Sequence, residues 1–174
     1  MFKPVLILIA LIVALPHAAM AQQRPKAGGN AFEIGKAGAW GIFTSGEGKS
    51  RNCFIMSAPA DRMPKGLARD PATMFITIRQ GEPNKPEFSM LTGYPLKQNT
   101  DAQISIGGAN FSALGQAKSV WLKNAAEEGK LIGELRKGSA LTVKGTSQRG
   151  NETTDRYSLT GFGQALERAQ KECT

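Results

Sequence analysis

The sequence predicts a mainly β protein: an antiparallel β-sandwich with two short helices added. Three observations carry that expectation. Short runs such as Met74, Ile76 and Ile78 repeat their apolar residues with period two. Gly- and Asn-rich turns separate those runs at hairpin spacing, as in Ile104 to Phe111 around Gly107-Gly108. Only two stretches show helical periodicity, so a parallel sheet with regular helical crossovers is disfavoured.

In chain order, Trp40 to Thr44 and Cys53 to Ala58 read as a strand pair across the turn-like segment SGEGKSRN. Residues 59 to 71 are polar, contain three prolines and read as a surface loop. Met74 to Arg79 is a strand with one apolar face, and Phe88 and Met90 continue the pattern. The hairpin around Gly107-Gly108 follows. A second hairpin sets Leu141 and Val143 against Tyr157 and Leu159, with its turn near Arg149-Gly150-Asn151.

The first helix is expected from Ala125 to Lys137, with Asn124 as N-cap, Glu127 three positions later and Gly138 at the exit. Leu131, Ile132 and Leu135 form its buried stripe. The second lies near the C-terminus, where Phe162, Ala165, Leu166, Ala169 and Cys173 fall at offsets 0, 3, 4, 7 and 11 on one face. That spacing aims Cys173 at the core.

Residues 1–21 read as a secretory signal: Lys3 in a short basic start, an apolar run from Val5 to Leu15, and Ala19-Met20-Ala21 as a small-residue cleavage site. The run is shorter than the roughly 20 residues that a membrane span needs. The residue after the cleavage site is Gln22, not the cysteine of a lipoprotein. Residues 22–38 are expected to be a flexible leader and residues 39–174 one domain, with order beginning near Trp40. The expected location is the periplasm, the outer envelope or outside the cell.

Both cysteines lie after the signal, and an even count in an exported chain favours a Cys53–Cys173 disulfide over two free thiols. The formal charge is +8, and cleavage removes one cation, Lys3, to leave +7. Such a charge suits solubility, and it also suits anionic partners such as nucleic acid or lipid headgroups.

The lone histidine, His17, sits within the signal, so the remainder holds no imidazole for serine or cysteine catalysis or for a metal site. No serine precedes a lysine by three positions, and neither Gly-x-Ser-x-Gly nor a phosphate-binding loop motif occurs. Glu127 and Glu128 are adjacent on the expected helix and diverge, which suits first-turn charges better than a catalytic pair. Asp61, Asp70, Asp101 and Asp155 lie in polar stretches, where turn and surface roles are expected. No catalytic residue, cofactor or metal is therefore assigned. Trp40 and Trp121 are expected in the core. Lys144, Arg149 and Arg156 gather near the turn of the second hairpin, with Ser147 and Thr154 able to donate hydrogen bonds. They form a candidate contact for an anion or a partner, or a solvated hairpin whose charges discourage edge pairing.

The chain resembles the invasion-associated locus B family of small secreted bacterial proteins. The resemblance rests on Trp40 with Cys53-Phe54-Ile55 and Ser57-Ala58-Pro59, on Gly93-Tyr94-Pro95, on Ala125-Ala126-Glu127-Glu128 and on Arg136-Lys137-Gly138. It extends through Val143-Lys144-Gly145-Thr146-Ser147 and Arg149-Gly150 to Ser158-Leu159, Gly161-Phe162 and Cys173. It implies an antiparallel immunoglobulin-like β-sandwich in an envelope-associated protein, linked in pathogenic members to entry into host cells, with no catalytic residues. The expected function is a non-enzymatic contact with an envelope or host protein. The alternatives are a basic binder of anionic polymer, lipopolysaccharide or nucleic acid, and a carboxylate-based hydrolase.

Overall fold

Period-two alternation organises most of the chain. The computed structural model describes residues 30–174, so the expected signal and the leader from 22 to 29 lie outside the described residues. Eleven strands follow one another: β1 (Ala31–Ala37), β2 (Trp40–Ser45), β3 (Asn52–Ser57), β4 (Asp61–Met63), β5 (Thr73–Arg79) and β6 (Glu87–Leu91), then β7 (Asp101–Ile106), β8 (Ala109–Gln116), β9 (Ser119–Leu122), β10 (Ala140–Thr146) and β11 (Glu152–Ser158). They form one sheet in the order β1-β2-β3-β5-β6-β9-β8-β7-β10-β11-β4, and every neighbouring pair is antiparallel. The mainly β, antiparallel expectation with two helices is met. β4 follows β3 after a short link yet stands at the opposite edge, so the sheet folds back until its edges approach. Hydrogen bonds from Trp40 Nε1 to Ser158 O (3.1 Å) and from Ala39 N to Thr160 O (3.0 Å) cross that seam.

One core fills the interior. On β5, Met74, Ile76 and Ile78 are buried while Phe75 and Thr77 are partly exposed, as the alternation requires. Helix α1 (Glu128–Lys137) is preceded by a 3₁₀ turn, Ala125–Glu127, whose cap is Asn124: its side chain accepts the Ala126 N–H at 3.1 Å. Gly138 ends α1, and Leu131, Ile132 and Leu135 are its buried residues. Helix α2 (Phe162–Glu172) buries Phe162, Ala165, Leu166 and Ala169 and packs on β1, β2, β3 and β5. Phe162 meets Trp40 edge to face, with ring centroids 5.0 Å apart.

The disulfide joins Cys53 on β3 to Cys173 just after α2, with Cα atoms 5.9 Å apart and both residues fully buried. It fixes the helix end to the start of β3. Gly81 N donates to Cys173 O (3.2 Å) beside it, which ties the β5 exit to the same corner.

Four expectations need correction. Residues 31 to 37, expected in the leader, form β1, so order begins before Trp40. The N-terminal half of that segment lacks a clean alternation, but its backbone satisfies the open edge of β2, and Gly38 (φ +54) makes the connecting turn. A Cβ on Gly38 would stand 2.2 Å from Thr160 O. The 59–71 loop contains β4, which pairs with β11 because that strand would otherwise leave an unpaired edge. Trp121 is 43 % exposed rather than buried, because β9 turns Val120 and Leu122 inward and so turns Trp121 out. Asp155, expected at the surface, is buried at 3 % exposure.

Candidate functional site

The second hairpin distributes its expected contact residues over two places. Lys144 lies opposite Thr154 in the β10–β11 ladder and Arg156 lies opposite Thr142, so Lys144 and Arg156 are diagonal neighbours on the outward face. Both are exposed. Arg156 also stands opposite Asp61 of β4. The Asp61 carboxyl is held below its usual range chiefly by the Lys65 hydrogen bond, with Arg156 adding a smaller attraction. Ser147 and Arg149 sit instead in the turn between β10 and β11, away from that face. Ser147 Oγ accepts the Asn151 N–H at 3.0 Å.

Behind the hairpin lies a buried charge cluster. Thr153, Asp155 and Tyr157 share the inner side of β11 by strand parity, and all three are buried. Arg62 of β4 donates through Nε to Asp155 Oδ1 at 3.1 Å, and Arg69 donates through Nη1 to the same oxygen at 3.3 Å. Arg62 spends its other nitrogens on Asp70 O (2.9 Å) and Thr92 O (2.7 Å). Arg69, whose side chain is 7 % exposed, reaches Pro64 O at 3.1 Å. Two guanidinium groups that cannot shed their protons thus share one carboxylate, and the cluster keeps one positive charge in excess. Burial raises the Tyr157 hydroxyl pKa far above its ordinary value, with the Asp155 charge adding to it. The Tyr157 hydroxyl has no hydrogen-bond partner among the described residues.

Next to this cluster a cleft of about 700 Å³ opens between the segment 67–70, Gly93-Tyr94-Pro95, Lys118 and the 147–151 turn. Its walls are stitched by backbone hydrogen bonds: Asp70 N to Gly93 O (2.9 Å), Thr92 N to Lys118 O (2.8 Å) and Gln148 N to Pro95 O (2.9 Å). Gly93 has φ +76, and a Cβ there would stand 2.1 Å from Asp70 O, so only glycine lets the two walls approach this closely. At the cleft floor Thr153 donates to Gly145 O (2.9 Å), so the Tyr94 hydroxyl donates to Thr153 Oγ1. Lys118 pairs with Asp70 at 2.7 Å, and that hydrogen bond keeps the Asp70 carboxyl below its usual range. A second cleft, about 1020 Å³, lies between the β1–β2 turn and residues 58–62 and is also bordered by Arg62 and Arg69.

One further carboxyl is perturbed. Glu128 opens α1, and its carboxylate accepts the Phe88 N–H at 3.0 Å. Burial raises its pKa to about 7, against the pull of that hydrogen bond and with a small push from Glu87. Among the described residues no group of three or more His, Cys, Asp or Glu side chains is arranged to hold a metal ion. No helix of the described residues is long and apolar enough to cross a membrane.

Arg62, Arg69 and Lys118 had no local signal in the sequence, and Tyr94 had one only as part of the Gly93-Tyr94-Pro95 motif. Asp155 had one: it stands two residues from Tyr157, so it shares the side that Tyr157 buries.

A family model described as Invasion associated locus B (IalB) protein matches residues 40–170. The fold is similar to the crystal structure of invasion associated protein B from Bartonella henselae, with a TM-score of 0.59 at 14% identity, over 79% of this chain and 96% of that one. No curated protein matches the sequence.

Proposed function

Because the chain belongs to the invasion associated locus B family, we propose that it is an exported, non-enzymatic protein of the bacterial envelope that works by contact with another protein. The observation that carries this reading is an apolar patch on the outer side of the sheet. Trp121 (43 % exposed) faces Leu114 (48 %) across the β8–β9 pair, and Leu91 (44 %) lies on the adjoining strand β6. Large apolar side chains gathered on one exposed face, with a tryptophan among them, suit a protein interface. The Lys123–Asp101 ion pair (2.7 Å) supplies part of a polar rim. The occupant is a partner protein with an apolar patch of its own, in the envelope or on a host cell. The same reading takes the folded-over sheet as an immunoglobulin-like sandwich, since both halves of the strand order contribute to one core.

Crosslinking in intact cells, followed by mass spectrometry, tests this. The wild type should yield a specific partner that the Trp121→Ala/Leu114→Ala variant loses. Recovery of nothing above background, or equal recovery by the variant, would overturn the reading, and a product made of two copies of this chain would replace the foreign partner by self-association.

A second reading, a basic binder of lipopolysaccharide or nucleic acid, draws support from the outward Lys144 and Arg156. It is weakened by Asp61, which stands opposite Arg156. A carboxylate-based hydrolase has less support, since the most buried acid, Asp155, is engaged by two arginines.

A further inference from the structure

The cleft beside the Asp155 cluster has a charge that its own residues leave unbalanced. Three cations line it, Arg69, Lys118 and Arg149, against one carboxylate, Asp70. Arg149 makes no ion pair among the described residues, while Lys118 retains two N–H donors beyond the one it gives Asp70. Ser147 is an acceptor in its bond to Asn151 N, which leaves its hydroxyl proton available at the cleft wall. Behind them, the excess positive charge of Arg62, Arg69 and Asp155 is largely buried, where water screens it less than at the surface. The Nη groups of Arg69 are taken up by Asp155 and main-chain carbonyls, so Arg69 supplies field, and Lys118, Arg149 and Ser147 supply contacts.

The walls are also set in advance. Three loops distant in sequence meet at Gly93-Tyr94-Pro95 through main-chain hydrogen bonds, so little ordering entropy opposes a ligand entering there. The volume, about 700 Å³, is that of a small-molecule site rather than a track for a long polymer.

We propose that this cleft binds an oxyanion group, a phosphate or a carboxylate, carried by a small solute or by a lipid headgroup. The inference stands apart from the protein-contact reading, because it uses a different face and none of Leu91, Leu114 or Trp121. Lys118 and Arg149 donate to the oxygens, Ser147 adds a hydroxyl donor, and the buried arginine excess favours the negative charge.

The test titrates the purified protein by calorimetry at low salt with inorganic phosphate and with succinate. In parallel the protein is sedimented with phosphatidylcholine vesicles with and without phosphatidylglycerol. The variant is Lys118→Ala/Arg149→Ala, in which both changed residues stand on exposed turns. Lys49→Ala/Lys171→Ala, which removes the same charge elsewhere, is the control. Binding of phosphate or succinate, weakened about tenfold or more in the first variant and little in the second, supports a soluble ligand and identifies which oxyanion is preferred. Sedimentation with the anionic vesicles alone, lost in the same variant, supports a headgroup. Absence of binding in every arm, or equal weakening in both variants, overturns the proposal.

Discussion

Two tethers hold distant parts of this chain together, and they are built from opposite materials. The Cys53–Cys173 bond closes a loop of 120 residues in a corner where both partners are fully buried. The Asp155 cluster joins β11 to β4 and to the segment that carries Arg69, across separations of 93 and 86 residues, by charge-assisted hydrogen bonds that add to the β4–β11 backbone ladder. A disulfide is neutral and finished once formed. The ion cluster, with two cations on one anion, projects a residual field into the neighbouring cleft. A covalent tether serves the fold only, whereas the ionic one also shapes what the adjacent surface attracts.

The largest effect is expected at the covalent tether. Removing it in Cys53→Ala/Cys173→Ala should destabilise the protein by roughly 5 kcal/mol on chain entropy alone, less any relief of native strain. Urea unfolding of the oxidised wild type and the variant measures the difference, and a change below about 1 kcal/mol would show that the C-terminal helix docks without its bond.

A smaller effect is expected at a charged site that belongs to neither tether. The folded-state pKa of Glu128, about 7, lies above its ordinary value of 4.5 because burial disfavours the charge. The folded state therefore holds a proton that the unfolded state releases. The stability contributed by that proton is full below pH 4.5 and is lost as pH rises through about 7. No histidine follows residue 17, so no imidazole adds its own pH dependence in that window, and the comparison with Glu128→Gln isolates the contribution of Glu128. Melting temperatures recorded from pH 4.5 to 7.5 should fall for the wild type relative to Glu128→Gln, and parallel curves would contradict this.

The same contrast explains what was legible in the sequence. Cys173 was placed correctly because the apolar face of α2 is a local pattern, complete within twelve residues, and an even cysteine count suggested its partner. The strands β2, β3, β5, β7, β8, β10 and β11 were readable for the same reason. The 3₁₀ turn and helix at Asn124 to Lys137 were marked by their cap and exit residues. The burial of Asp155 is not legible because polar neighbours, Thr153, Thr154 and Arg156, mask it, and its arginine partners come from a loop that reads as solvent-facing. β1 and β4 were missed because their strand character comes from edges that need partners, a property of the assembled sheet. Trp121 is exposed despite its size because strand parity, with Val120 and Leu122 turned inward, decides its side.

Of the candidate site, only Ser147 and Arg149 were legible, as members of a hairpin turn. Lys144 and Arg156 belong to a different face. Lys118 and Tyr94 enter the cleft through turns whose meeting is decided by main-chain hydrogen bonds between segments far apart in sequence.

The central claim is that the ion cluster organises the cleft while the disulfide organises the helix corner. Amide hydrogen exchange on the Asp155→Ala variant tests it most directly, with the cysteine-free variant measured alongside. Removing Asp155 takes the counter-charge from one buried and one partly buried guanidinium, which keep only main-chain carbonyl acceptors, a loss toward the low end of about 3–5 kcal/mol if the structure does not relax. Exchange should then accelerate at Asp70, Thr92 and Gln148 around the cleft, with little change at Gly81 and Cys173, and the cysteine-free variant should show the reverse. Uniform acceleration in both variants, or unchanged protection around the cleft when Asp155 is removed, would contradict the account.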